Sequence, residues 1–252
     1  MRPPKILQNI LEDGRIEYLE RYVNHESALL FDNTKCIDCG FCQIVCPKEA
    51  IKENPNNAHQ EGAFQYTIDQ QKCIYCGICE IFCPVGALTL KLKGEPRLII
   101  QETKMMPQIE STPIQVEGKI IKKVLEGSIS ITPLGKVTKK NSELLVNSCP
   151  TRAIEIETQK VNTSSEKCLF CTRCTRVVKQ HDLHFTLTVC RSYIRRTGHD
   201  ISTLWNDVAT RLLCPTGKIE GMKGDVSYKI ADRITQLMKS LKNDLLRDDG
   251  EK

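Results

Sequence analysis

Two short segments with identical cysteine spacing constrain this chain more than any other feature. Residues 36–47 and 73–84 both read C-x2-C-x2-C-x3-C-P, and a glycine follows the second cysteine of each run. Structural zinc sites usually supply cysteines as separate C-x2-C pairs, so triplets followed by C-P do not favour zinc. Three thiolates on so tight a loop can instead meet three irons of one 4Fe-4S cubane, and glycine lets the backbone approach its sulfides.

The high cysteine content fits metal ligation better than a disulfide framework. Fourteen of the 252 residues are cysteine, which in a short secreted protein would suggest disulfides. Residues 6–11 are too short and too polar a run for a signal peptide, and no window approaches the ~18 apolar residues of a membrane span. We therefore expect a cytoplasmic protein with no membrane span of its own, whose cysteines bind metal.

The two runs are expected to share their ligands. In two-cluster proteins with this spacing, the fourth cysteine of each run binds the other cluster. That cysteine opens a short helix that crosses to the other site, and the proline after it suits a helix start. The predicted ligands are Cys36, Cys39, Cys42 and Cys83 for the first cluster, and Cys73, Cys76, Cys79 and Cys46 for the second.

Residues 32–92, which contain both runs, resemble a bacterial-type two-cluster 4Fe-4S ferredoxin. Such domains occur alone and as modules of polyferredoxins and of hydrogenase or dehydrogenase subunits in anaerobic complexes. The resemblance implies a small fold with two short helices and two β-hairpins around the clusters. It covers about a quarter of the chain, and its motifs are specific.

Similar tails after four cysteine-proline pairs indicate an internal repeat. The tails begin at Cys46, Cys83, Cys149 and Cys214, and in the first three an alanine and an aliphatic residue follow at the fourth and fifth positions after the cysteine. Four tails imply two ferredoxin-like units. The second unit is incomplete, because residues 141–148 contain no cysteine triplet before Cys149.

The second unit is predicted to hold a third 4Fe-4S cluster. Between the second and third cysteines of its one triplet stand Thr172 and Arg173, and the complete runs have a glycine directly after the second cysteine. Arg173 and Arg176 would raise the reduction potential of this cluster, because positive charge favours its reduced, more negative state. If a tail cysteine binds the cluster of the other half here as well, an arrangement that we call interleaved, the fourth ligand is Cys149. Cys214 and then Cys190 are the alternatives. The predicted ligands of the third cluster are Cys168, Cys171, Cys174 and Cys149.

The rest of the sequence predicts an α+β fold in five segments. Residues 1–31 are predicted as an N-terminal helical arm, 32–92 as the two-cluster ferredoxin domain, and 93–148 as a β-rich insertion. Residues 149–220 are predicted as a degenerate one-cluster unit, and 221–252 as a C-terminal amphipathic helix with one apolar stripe. Within the insertion, short strands are predicted at 97–101, 113–121 and 128–132.

Charge and missing motifs narrow the possible functions. The formal charge of +5 falls to about −1 once three anionic clusters are counted, so a nucleic-acid partner is not favoured. No G-x-G-x-x-G or Walker A run is present, and a self-contained enzyme therefore lacks its usual signatures. A redox or iron sensor would usually carry an output domain, and none is recognisable in the sequence.

The predicted function is that of an electron-transfer subunit with no catalytic residues of its own. It would relay single electrons through three 4Fe-4S clusters within a larger anaerobic oxidoreductase, for which we expect an energy-converting hydrogenase-type complex. The alternatives are a polyferredoxin subunit of a formylmethanofuran dehydrogenase or another soluble dehydrogenase, and a cluster-based sensor. The expected partners are other subunits, including membrane-associated ones, and basic residues along 175–213 would also suit an acidic soluble ferredoxin.

Overall fold

The computed structural model describes residues 4–23, 25–54, 66–135, 138–157, 160–197, 202–213 and 235–240. Helices and strands both contribute, as the α+β prediction requires. The strands are β1 (Lys5–Ile10), β2 (Ile16–Arg21), β3 (Glu26–Phe31), β4 (Ile51–Glu53), β5 (Tyr66–Ile68), β6 (Leu88–Leu92), β7 (Glu95–Pro96), β8 (Gln108–Ile109), β9 (Thr112–Val116), β10 (Lys119–Lys123), β11 (Leu125–Pro133), β12 (Ile154–Glu157), β13 (Lys160–Thr163), β14 (Phe185–Ile194) and β15 (Arg196–Thr197). The helices are α1 (Phe41–Val45), α2 (Ile78–Ile81), α3 (Ile99–Glu102), α4 (Lys139–Ser148), α5 (Arg173–Gln180) and α6 (Thr203–Leu213).

The first cysteine-rich unit is built in the order β3-α1-β4-β5-α2-β6. Strands β3 and β6 form an antiparallel pair with Leu29 opposite Leu90, and β4 and β5 form a short antiparallel hairpin. Helices α1 and α2 are only about one turn long and contact each other. Each helix carries the third cysteine of its run, so their contact brings the two runs together.

The predicted N-terminal helical arm is wrong over the described residues, because they form strands. β1, β2 and β3 are antiparallel and extend the sheet of the first unit to the order β1-β2-β3-β6-β7. Asp13-Gly14 makes the first turn, and Gly14 adopts φ 79 there, which suits a D-G hairpin signal. Six-residue apolar pieces do not distinguish a helical from a strand period, and pairing with β3 decides the outcome.

The second unit repeats the order of the first as β11-α4-β12-β13-α5-β14. Strands β11 and β14 pair antiparallel over nine residue pairs, and β12 and β13 form a hairpin. Helix α4 occupies the position of the first cysteine loop and α1, and Thr138 caps it by accepting a hydrogen bond from the Asn141 N–H. β11 and α4 lie inside the predicted 93–148 insertion, so the repeat draws on residues from both sides of Cys149.

The connection between the units contains a hairpin and a helix at the places of two predicted strands. β9 and β10 pair around a turn at Glu117-Gly118, so the single strand predicted at 113–121 is divided into the two strands of a hairpin. The strand predicted at 97–101 is replaced by α3. The apolar residues of this segment are consecutive, so a strand here would have no alternating apolar face. In the helical turn, Ile99 instead packs in the core of the first unit, and Ile100 packs in a second, larger core.

The last described elements pack on the larger core. Val208 and Leu212 of α6 are fully buried, and Met238, in the helical residues 235–240, is buried as well. Most of the predicted C-terminal amphipathic helix lies outside the described residues, as does Cys214. Among the helices that the structure describes, none is long and apolar enough to cross a membrane.

Candidate metal centres

Three cysteine loops, at residues 36–42 (first), 73–79 (second) and 168–174 (third), adopt the same backbone conformation at two equivalent positions. The residue before the second cysteine and the residue after it are both left-handed in every loop. The φ values are 54, 53 and 57 for Asp38, Tyr75 and Phe170, and 75, 82 and 65 for Gly40, Gly77 and Thr172. Successive turns of this kind aim backbone N–H groups into one concavity, which suits an anionic sulfur cluster. The third loop therefore has the shape of the two complete ones.

Thr172 keeps this shape without the glycine that the other loops use. A β-branched residue at φ 65 is a conformational outlier that costs about 1 to 3 kcal/mol. Its hydroxyl donates to the Cys171 carbonyl at 2.6 Å, and α5 begins directly after it. The strain is tolerated where the loop must turn, so the missing glycine does not change the geometry of the third loop.

The three described cysteine-proline tails also share one geometry. The third residue after each cysteine is left-handed, at Glu49, Gly86 and Arg152. This turn brings the next backbone N–H, always that of an alanine, back to the sulfur. The N···S distances are 3.3 Å from Ala50 to Cys46, 3.1 Å from Ala87 to Cys83 and 3.2 Å from Ala153 to Cys149. Each tail thus orients one thiolate and stabilises its charge.

Two cavities are each lined by four cysteines from a loop and a tail. The first, with about 400 Å³ of empty space including its open mouth, is lined by Cys46, Cys73, Cys76 and Cys79. The second, with about 320 Å³, is lined by Cys149, Cys168, Cys171 and Cys174. The structure therefore brings Cys149 to the third loop, in the same relation that Cys46 has to the second loop.

The remaining four cysteines interact with one another and with cysteines that line both cavities. The Cys36 and Cys42 thiols both interact electrostatically with the tail cysteine Cys83, and so does Cys39. Cys42 also interacts with Cys46, and Cys79 with Cys42. Cys39 interacts with Cys171 of the third loop. The set that contains Cys39 thus has neighbours in both of the other groups of thiols.

The donor chemistry fits clusters bound through thiolates. Burial raises the pKa of Cys36 to about 11, and those of Cys168 and Cys174 to about 12. Repulsion from neighbouring thiolates adds to these shifts, so the groups need a positive centre to stay ionised at neutral pH. In the part of the chain that the structure describes, no three His, Cys, Asp or Glu side chains meet around a single metal ion. The thiols surround cavities instead, as ligands of a multi-iron cluster would.

The two arginines predicted to act on the third cluster, Arg173 and Arg176, contact the first loop. Arg173 donates to the Ile37 carbonyl at 2.8 Å and approaches the Asp38 carboxylate at 3.3 Å. Arg176 donates to the Asp38 backbone carbonyl at 2.7 Å and also pairs with Glu53. These contacts fix the two loops against each other. They also offset both positive charges, which the sequence alone did not indicate.

The second unit lacks ligands for a fourth cluster among the described residues. Helix α4 replaces the first cysteine triplet, and Val178 stands four residues after Cys174, where the complete run has Cys83 four residues after Cys79. No proline follows Val178, so α5 continues to Gln180. Of the two alternative ligands, Cys190 is exposed on β14 and does not line the third cavity, and Cys214 lies outside the described residues.

Comparison with known proteins identifies the first unit. Residues 35–87 match the family model of the 4Fe-4S dicluster domain. This is an iron–sulfur electron-transfer protein. The match spans both complete cysteine runs and ends with the tail at Ala87, so it leaves the second unit outside the family model.

A solved structure extends the likeness to most of the iron–sulfur protein. It is a chain of the formate dehydrogenase–heterodisulfide reductase–formylmethanofuran dehydrogenase complex from Methanospirillum hungatei. The two chains are 19% identical and superpose with a TM-score of 0.64, over 84% of this chain and 92% of the other. At that identity the likeness shows a shared fold. No curated protein matches this sequence.

Proposed function

We propose that this chain relays single electrons through three 4Fe-4S clusters as a subunit of a larger anaerobic oxidoreductase. The observation that carries the proposal is the threefold recurrence of one loop-and-tail geometry, each loop facing a tail cysteine. The proposed ligands are Cys36, Cys39, Cys42 and Cys83 for the first cluster, Cys73, Cys76, Cys79 and Cys46 for the second, and Cys168, Cys171, Cys174 and Cys149 for the third.

The neighbours that the first group of thiols has in both other groups support a relay. Cys42 lies near the second group and Cys39 near the third, so the first cluster would occupy the centre and the other two the ends. A bound 4Fe-4S cluster supplies reversible uptake of one electron. The protein's own part is to exclude water with buried side chains such as Phe41, Tyr75 and Phe170, and to direct backbone N–H groups at the sulfurs.

We propose that the complex to which this chain belongs is of the soluble dehydrogenase or heterodisulfide reductase type, not of the hydrogenase type. The expectation of a hydrogenase-type membrane complex depends on analogy and on the two predicted terminal helices, at 1–31 and 221–252, which would dock to other subunits. The N-terminal segment is a β-sheet extension, which removes half of that support. The fold shared with a chain of the Methanospirillum hungatei complex supports the alternative.

Purification from the native host under anaerobic conditions tests this proposal. An affinity-tagged chain is expected to elute in the soluble fraction as part of a large complex with formate-oxidising or heterodisulfide-reducing activity. The untagged strain, taken through the same steps, controls for adventitious binding. Membrane-bound hydrogenase activity in the tagged sample would favour the hydrogenase-type complex, and a free monomer that carries electrons between enzymes would contradict a subunit role.

A further inference from the structure

Arg191 is a charged residue on the inner face of the second unit's strand pair. Along β14, Leu187, Val189 and Arg191 alternate toward the interior, while the residues between them are exposed. Arg191 lies opposite Gly127 of β11, where the register shifts at a bulge. Only 5% of Arg191 is exposed, so the strand pairing places a full positive charge inside the protein.

The guanidinium of Arg191 touches both the first and the third cysteine loops. Its Nε donates to the Phe170 carbonyl at 2.7 Å, and Phe170 directly precedes Cys171. It also lies over the ring of Phe41, 5.6 Å from the ring centre, and Phe41 directly precedes Cys42. Arg191 also interacts electrostatically with Cys171 and Cys168 of the third group and with Cys39 of the first.

The hydrogen bonds of Arg191 leave its charge uncompensated. Nη1 donates to the Leu212 carbonyl at 2.8 Å, and the buried Nη2 has no hydrogen-bond partner among the described residues. No carboxylate of the described residues forms an ion pair with it, in contrast to Arg173 and Arg176, which pair with Asp38 and Glu53. A buried charge is costly unless an opposite charge lies nearby, and here the thiolate ligands of the two sites are the groups that face it.

We infer that Arg191 is the shared counter-charge of the first and third cluster sites and that it raises the reduction potentials of both. This inference rests on the proposed three-cluster function. Reduction adds one negative charge to a cluster, and a fixed cation in a site of low effective dielectric stabilises that charge. The thiols that interact with Arg191 belong to the first and third groups. The residue therefore raises the potentials of the first and third clusters relative to the second, so that electrons entering at the second cluster move toward the first and third.

Potentiometric titration followed by EPR tests the inference on anaerobically purified wild-type protein and four variants. R191M and R191Q remove the charge, R191K keeps it, and all three lose the forked hydrogen bonds. R195M is the matched control, because Arg195 lies next to the end of the same strand in an ion pair with Glu126 near the surface. In R191M and R191Q, the reduction potentials of the first and third clusters are expected to fall by at least about 59 mV, which is a tenfold change in the one-electron equilibrium constant. The potential of the second cluster, and all three potentials of R191K and R195M, are expected to stay near wild type.

Each other outcome has a defined meaning. Unchanged potentials in fully loaded R191M and R191Q, equal shifts of all three, or a shift in R191K as large as in R191M would overturn the inference. Loss of iron from both neutral variants but not from R191K would support it, since charge would then be what the sites require, whereas loss from all three would contradict it. Wild-type protein with about eight irons per chain instead of about twelve would contradict the three-cluster function itself.

Discussion

Replacing Cys149 with serine is expected to remove the third cluster, or to convert it to one with less iron, while the other two stay intact. Cys149 lines the same cavity as the third loop, and the Ala153 N–H holds its sulfur at 3.2 Å. Serine is a poor iron ligand, because its hydroxyl is far less acidic than a thiol. The iron content should then fall from about twelve atoms per chain toward about eight, with a matching loss of sulfide and of one EPR signal.

Two further serine variants complete this test. Cys190→Ser is the matched control, since Cys190 is exposed on β14 and should be replaceable without loss of iron. Cys214→Ser addresses the other alternative ligand, which lies outside the described residues. If Cys214→Ser removed one cluster and Cys149→Ser did not, the interleaved ligation proposed for the second unit would be wrong.

Replacing Gly127 with alanine is expected to disrupt the second unit selectively. A Cβ at this position would lie 2.0 Å from the Cys190 carbonyl oxygen and 3.2 Å from the Arg191 Cα. Both obstacles are backbone atoms, so the clash can be relieved only by separating β11 from β14. Overpacking of this kind costs about 3 kcal/mol, and Ile129 and Val189 of the same two strands line the third cavity. Stability and third-cluster content should therefore fall together.

Anaerobic thermal unfolding and iron analysis measure this effect. Gly118→Ala serves as the control, because Gly118 sits in the β9–β10 turn at φ 78 with no heavy atom within 4 Å of an added Cβ. That change should cost only the left-handed backbone strain, about 1 to 2 kcal/mol, with no loss of iron. Equal melting temperatures and equal iron in the two variants would show that the close approach at Gly127 does not support the third site.

The first unit could be predicted from the sequence because the ligands of a cluster stand close together in the chain at a characteristic spacing. The C-P-x-x-A tails were equally informative, since each encodes a left-handed turn that returns the alanine N–H to the sulfur, as at Ala153 and Cys149. Cys149 could therefore be placed near the third loop without any cysteine triplet before it. What the tails could not indicate is that α4 fills the place of that triplet.

The N-terminal strands and Arg191 were missed for a different reason. Both depend on pairing between segments distant in sequence, and six-residue runs such as β1 and β2 fit a helical stripe as well as a strand. For Arg191 one local signal existed, the alternation of Leu187, Val189 and Arg191 on one strand face. Its place between two cysteine loops follows only from the bulged register opposite Gly127.

Iron and acid-labile sulfide per chain, measured on anaerobically purified protein, test the central claim most directly. Three clusters with four irons each predict about twelve of both. About eight of each would contradict the account, because the cavity lined by Cys149 and the third loop would then hold no cluster, and the chain would be a two-cluster ferredoxin with a structural second unit.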